Sequence, residues 1–153
     1  GQTGWQVDPL QGVLEPQAIN PEVDSEAGIY ERDIEGPLVD WRAKGHVVEL
    51  VGRETLPGGE AFKLRVTLSH GAIRHEYVDV ESRHVVRTDK TEMLRGRVVQ
   101  LEQRFSDFRE VGGLIFPHLI ETHVNDRPEF IRIVVENIEI DPDLDDARFQ
   151  FPR

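Results

Sequence analysis

Residues 60 to 68 read EAFKLRVTL, and this stretch decides the predicted fold class. Apolar and polar side chains alternate along it, in the order Phe62, Lys63, Leu64, Arg65, Val66, Thr67 and Leu68. Successive side chains of a β-strand point to opposite faces of the sheet. The alternation therefore predicts a half-buried strand with one apolar face and one wet face.

Six further stretches outward from this strand show strand-like composition: VVELVGRE, AIRHEYVDV, HVVRTDKTEM, RVVQLEQRF, LIFPHLIETHV and EFIRIVVENIEI. Short turn sequences separate them, among them PGG, SHG, LRG and VGG. The pattern predicts a mainly β protein, an antiparallel meander of about seven strands without βαβ alternation. Such a sheet must either close into a barrel or cover its apolar face with another element.

Two segments are candidates for that cover. Pro21 can occupy the first position of a helix capped by Asn20, and the predicted helix spans residues 21–34. Its apolar side chains recur at helical spacing, at Val23, Ala27, Tyr30 and Ile34. The second candidate is the terminal DPDLDDARF. We predict one domain over 1–153, with a lead-in at 1–44, the meander at 45–140 and a cap at 141–153.

Composition excludes several function classes. A net charge of −11 and a pI near 4.9 argue against a nucleic-acid partner. The chain has no cysteine, which removes disulfides, thiolate nucleophiles and cysteine-based metal sites. Any basic patch is expected on the middle strands, where the sequence clusters Arg83, Arg87, Lys90, Arg95 and Arg97.

No motif points to catalysis or a metal. His118 and His123 are five residues apart in a predicted strand, so they point to opposite faces and cannot chelate one ion as a pair. Ser106, Asp107 and His118 carry the residue types of a hydrolase triad without a nucleophile elbow. DPDLDD at 141–146 lacks the glycine and the final glutamate of a calcium loop. We expect no enzyme activity, no cofactor and no metal.

The run FSDFREVGGLIFPHLIETH, residues 105–123, predicts two antiparallel strands joined at Gly112 and Gly113. Pro117 lacks a backbone N–H and so predicts an edge or a bulge. Phe105 and Phe116 are expected on the apolar side of the sheet.

The predicted apolar face comprises Phe62, Leu64, Val66, Leu68, Tyr77, Val99, Leu101, Phe105, Ile131, Ile133 and Val135, with Trp41 and Phe116 nearby. From the residues alone, an ordinary core is the preferred interpretation of this face and a ligand cavity is the alternative. Few of these side chains are large enough to fill a wide barrel, and for this reason we retain the ligand cavity as the alternative interpretation.

GPLVDWRAKGHVVELVGRETLPGGEAFKLRVTLSHGAIRHEYVDVESRHVVRTDKT, followed by FSDFREVGGLIFPHLIE and VENIEIDPDLDDARFQFP, resembles the LolA-like outer-membrane lipoprotein-sorting proteins of Gram-negative bacteria. The resemblance covers most of residues 36–152 and implies an open antiparallel half-barrel with helices over its concave face. It further implies a periplasmic, non-catalytic carrier that binds lipid or lipoprotein acyl chains in a hydrophobic cavity. Ligand contacts are then expected from Trp41, Phe62, Leu64, Val66, Tyr77, Leu101, Phe116, Ile131 and Ile133.

Members of that family begin with an export signal, a helix and several strands, and the corresponding N-terminal part is not found in this chain. A sheet without those strands exposes an edge, which predicts a trimmed chain or an edge-paired homodimer. The alternative function is a protein-interaction or envelope-sensing β domain that pairs an edge strand with an envelope partner, without bound lipid.

Overall fold

The computed structural model describes residues 5–8, 13–18, 33, 35–94, 97–125, 129–145 and 150. The chain divides into two compact units. One unit comprises Gly1–Ile34 with Asp141–Arg153, and the other comprises Glu35–Ile140. The second unit ends at the residue where the predicted meander ends, and the prediction of a single domain stays a prediction.

Seven strands form one antiparallel sheet in the Glu35–Ile140 unit. They are β3 (Val47–Leu56), β4 (Gly59–Thr67), β5 (Ile73–Asp79), β6 (Val85–Leu94), β7 (Arg97–Val111), β8 (Leu114–Val124) and β9 (Phe130–Val134). Each strand pairs with the next along the chain, so β3 and β9 are the two edges and the sheet is not closed into a barrel. The mainly β class and the seven-strand antiparallel meander are confirmed.

The Gly1–Ile34 and Asp141–Arg153 unit contains a separate two-stranded sheet of β1 (Trp5–Asp8) and β2 (Val13–Ala18). The predicted helix at 21–34 lies outside the described residues apart from Asp33, which is not helical. The described residues contain no helix. A search of the same residues for a helix long and apolar enough to cross a membrane therefore found none.

The pairing register assigns every side chain of the seven-stranded sheet to one of two faces, because directly opposed residues point to the same side. Leu64 opposes Glu76 and Leu50, whereas Lys63 opposes Tyr77. The apolar face carries Val48, Leu50, Phe62, Leu64, Val66, Val78, Val99, Leu101, Phe105, Phe116, Ile120, Val124, Ile131 and Ile133. The charged face carries Glu49, Glu54, Lys63, Arg65, Arg87, Asp89, Glu102, Arg104, Glu121 and Arg132.

The hairpin of β7 and β8 turns at Gly112 and Gly113, as predicted, with Val111 opposite Leu114. Both glycines have positive φ, +60° and +84°. Pro117 opposes Phe108, next to a break in the ladder at Asp107, whose φ is +53°. The register is the same on both sides of this break. Pro117 therefore marks neither an edge nor an inserted residue, because a distorted Asp107 backbone interrupts the ladder without adding one.

We expect Gly112→Ala to destabilise the sheet more than Gly113→Ala. Both substitutions place a Cβ at positive φ, which costs about 1 to 2 kcal/mol. A Cβ on Gly112 would also lie 3.0 Å from Ile140 Cγ1, whereas one on Gly113 meets nothing within 4 Å. Urea unfolding of the two variants measures the difference, and equal losses would contradict the packing of Ile140 against the turn.

Candidate functional site

Seven of the nine residues predicted to contact a hydrophobic ligand lie together on the apolar face. They are Phe62, Leu64, Val66, Leu101, Phe116, Ile131 and Ile133. They come from four strands, β4, β7, β8 and β9. The register thus assembles a surface that no single stretch of sequence contains.

Tyr77 lies on the charged face, so its assignment to the apolar face was wrong. It opposes Lys63 on β4 and Arg87 on β6. The Lys63 ammonium lies 5.1 Å and the Arg87 guanidinium 4.8 Å from the centre of its ring, both within cation–π range. These two long side chains bury the ring, which is 1% exposed. Burial therefore does not identify the face on which an aromatic side chain lies.

Trp41 lies in the turn segment before β3 and outside the sheet. The Arg42 guanidinium lies 4.0 Å from the centre of its ring. Trp41 also lines a shallow surface pocket with Asp40, Arg42 and Ala43. The structure therefore does not bring Trp41 together with the seven residues on the apolar face by strand pairing.

The apolar face is only partly buried. Among the described apolar side chains of this face, Val66 and Leu101 are buried, at 0% and 8% exposure. Leu50, Ile131 and Ile133 are 64%, 44% and 45% exposed. Large apolar side chains gain free energy when they are removed from water, and contiguous exposed apolar faces are typical of binding surfaces.

A row of polar side chains crosses the middle of the apolar face. Glu76, Thr88, Gln103 and Thr122 oppose one another in turn across β5, β6, β7 and β8. Thr88 Oγ1 donates to Glu76 Oε2 at 2.6 Å, and Gln103 Nε2 donates to Thr122 Oγ1 at 3.3 Å. We call these four residues the polar row. Apolar side chains continue at both of its ends, at Leu64 and Ile131.

Glu76 is the most constrained member of the polar row. It is 2% exposed, and its Oε1 lies 2.5 Å from Arg74 Nε without the alignment of a hydrogen bond. Burial raises the pKa of Glu76 above the ordinary carboxyl value, and the attraction of Arg74 and the Thr88 hydrogen bond offset only part of this. Lys90 opposes Arg74 and pairs with Glu92 on the same face. The face therefore holds two buried or half-buried ion pairs among apolar neighbours.

The charged face carries a continuous series of ionic contacts. Tyr77 donates its hydroxyl to Asp89 at 2.9 Å, and Arg87 holds the same carboxylate through two hydrogen bonds of 2.7 and 2.8 Å. Arg87 also contacts Glu102 at 2.9 Å, and Glu102 contacts Arg104. The Arg104 guanidinium lies 4.9 Å from the ring centre of Phe130 on β9. We call Tyr77, Arg87, Asp89, Glu102 and Arg104 the charge chain.

The other candidate residues do not form a catalytic or metal site in the described part of the chain. His118 lies on the apolar face and His123 on the charged face, which confirms that they point to opposite sides. Ser106 points away from Asp107 and His118, because adjacent strand residues alternate. The described residues contain no cluster of three metal-ligating side chains. Arg87 and Lys90 point to opposite faces and are paired with acids, so these two do not share a basic patch.

The polar row was not found by sequence reasoning. In AIRHEYVDV both phases of the alternation contain a charged residue, so the sequence does not show which phase faces the apolar side. The pairing register with β4 shows which phase of β5 is apolar. Lys63 is a polar-phase residue of β4 and opposes Tyr77, so Tyr77 lies on the charged face. Once β5 is placed in this register, Arg74 and Glu76 follow onto the apolar face.

Sheet and faces together define a class, an open antiparallel β sheet with one charged and one partly buried apolar face. Comparisons with protein-family models, with curated proteins and with solved structures gave no match.

We expect the stability of the fold to depend on the ionisation of Glu76. Since the folded-state pKa of Glu76 is raised, the folded chain retains this proton to higher pH than the unfolded chain. Stability then falls as pH rises from 4.5 through the folded pKa, and Glu76→Gln removes this loss. The free energy of unfolding of Glu76→Gln minus that of the natural chain should therefore increase above pH 4.5.

Urea unfolding of both chains between about pH 4 and pH 8 measures this difference. Glu49→Gln is the matched control, because it also removes one negative charge but from an exposed pair with Arg65. A difference that decreases with pH would mean that the Arg74 ion pair outweighs the burial of Glu76 and would contradict the prediction.

Proposed function

We propose that the sheet of residues 35–140 binds lipid or lipoprotein acyl chains on its apolar face and catalyses no reaction. The observation that carries this proposal is the apolar face itself. It crosses all seven strands, and yet only two of its apolar side chains are fully buried among the described residues. A ligand of flexible methylene chains fits such a surface, because it can cover it without a fixed shape.

The shape of the face supports a ligand with both apolar and polar parts. On one side of the polar row lies an apolar row that includes Phe62, Phe105 and Ile120, and on the other side Val66 and Leu101 lie at the two ends of the Arg74 and Lys90 pair. An acyl chain along the apolar row places an ester or amide carbonyl near the amide and hydroxyl groups of Gln103 and Thr122. A buried carbonyl needs such a donor, since an unpaired polar group costs about 1 to 3 kcal/mol.

The resemblance of residues 36–152 to lipoprotein-sorting proteins supports the same ligand class. On this proposal the sheet curves into an open half-barrel, and a helix from the lead-in closes over its concave side. The proposed location is the periplasm, reached by export, and the proposed role is the transport of outer-membrane lipoproteins or lipids. The charged face then points to solvent, where its ion pairs are hydrated.

We expect the purified 153-residue chain to bind a fluorescent fatty-acid probe, with bound lipid detected by native mass spectrometry after gentle extraction. Leu50→Asp should weaken probe binding about tenfold or more. Leu50 is 64% exposed on the apolar face, and burying a leucine side chain contributes roughly 1.5 to 3 kcal/mol. Its exposure also means that the substitution leaves the core of the sheet intact.

Val47→Asp is the matched control for this test. Val47 lies on the same strand and is 53% exposed, but it opposes Thr67 on the charged face. The control should bind the probe like the natural chain. A chain that carries no detectable lipid and does not bind the probe contradicts the proposal. Equal weakening of probe binding by the two substitutions contradicts the assignment of the apolar face.

A further inference from the structure

β9 is an edge strand of the seven-stranded sheet. In the described part of the chain it pairs only with β8, and all five of its residues are exposed. Val134 at its end is 62% exposed. An exposed edge strand presents unpaired backbone N–H and C=O groups that can pair with another strand.

The register shows which of these backbone groups point outward. Val135 N–H donates to the His118 carbonyl at 2.9 Å, so the backbone groups of Val135 point toward β8. Because the direction alternates along an antiparallel strand, Ile131 and Ile133 also point toward β8. The N–H and C=O groups of Arg132 and Val134 therefore point to the free edge.

The chain continues along β8 beyond the end of β9. Ile140 lies against Gly112 at the turn that precedes β8, within reach of a Cβ placed there. The β8–β9 register, extended from Leu119 opposite Val134, brings residue 140 to this turn. Since the backbone groups of Val135 point toward β8, alternation places those of Glu136, two residues beyond the end of β9, on the outward side.

We propose that two copies of this chain pair antiparallel through their β9 edges, with Val134 at the two-fold axis. In this register Arg132 of each copy lies opposite Glu136 of the other, which forms two symmetric ion pairs. Phe130 lies opposite Ile138, and Ile133 lies opposite Val135. The paired strands join two seven-stranded sheets into one, with the apolar faces on the same side.

Charge selects this register among those that the outward backbone groups allow. An axis through Ile133 places Arg132 opposite Val134, and an axis through Val135 places it opposite Ile138. Only the axis through Val134 pairs the arginine with an acid. Like charges, Glu129 and Glu139, meet in this register only outside β9.

The residues of this interface are accessible for pairing. Arg132 donates two hydrogen bonds to Glu121 Oε1, at 3.1 and 2.7 Å, but its side chain is 65% exposed.

The opposite edge of the sheet, β3, is less suitable for pairing, since a bulge at Val51 interrupts the β3 ladder and turns the strand. This inference does not depend on the proposed lipid binding.

The test is sedimentation of the full chain over a concentration series at about 0.15 M ionic strength, where screening confines charge effects to near neighbours. The natural chain should show a concentration-dependent dimer. Arg132→Glu and Glu136→Arg should each weaken dimerisation by about tenfold or more, because each places like charges opposite one another twice.

An equimolar mixture of the two variants should restore the dimer. Two glutamates of one chain then face two arginines of the other, so both ion pairs form, one with the natural polarity and one reversed. Circular dichroism and urea unfolding of each variant control for damage to the monomer, in particular for Arg132→Glu beside Glu121. A chain that is monomeric at every concentration overturns the proposal. A dimer that neither variant weakens, or a mixture that does not recover, overturns the β9 register.

Discussion

The register of the central strands is the constraint on which the rest of this sheet depends, and the charge chain is the interaction that holds it. A slip of one residue in a β-strand transfers all of its side chains to the other face. A slip of β6 would move Arg87 and Asp89 from the charged face onto the apolar face. A slip of β4 would move Val66 onto the charged face, beside the charge chain. Either transfer buries unpaired charge, which costs far more than the contacts that a new register would gain.

This constraint explains why the sheet can stand with so little enclosed core. Tyr77 is buried between Lys63 and Arg87, so part of the burial takes place on the charged face through the methylene stems of those side chains. Less of the burial that stabilises the sheet therefore has to take place on the apolar face. It can remain partly open, and it can carry a polar row whose hydrogen bonds link β5 to β6 and β7 to β8.

Much of the fold was predictable from the sequence because most strands alternate apolar and polar side chains and most turns contain a glycine or a proline. The seven-strand meander and the Gly112 turn follow from such local patterns. The face of Tyr77 does not, because β5 places Arg74, Glu76 and Tyr77 in competing phases and only its neighbours decide between them. The structure places seven of the nine predicted ligand-contact residues on the apolar face, and sequence reasoning misses the polar row because its residues oppose one another only across strands.

The two edges of the sheet have different physical properties, and this asymmetry decides what each can bind. β3 combines a bulge at Val51 with exposed apolar side chains on both faces, so its backbone cannot offer an uninterrupted row of hydrogen-bonding groups. β9 is short and regular. Arg132 in β9 and Glu136 just beyond its end both have outward backbone groups, and in the proposed pairing about Val134 their charges are complementary. Self-complementary charge gives an edge one preferred partner and disfavours others, because any shift in pairing leaves the arginine opposite an apolar residue. An acidic chain that repels its own copies at long range can therefore still pair at this one edge, where opposite charges meet at short range.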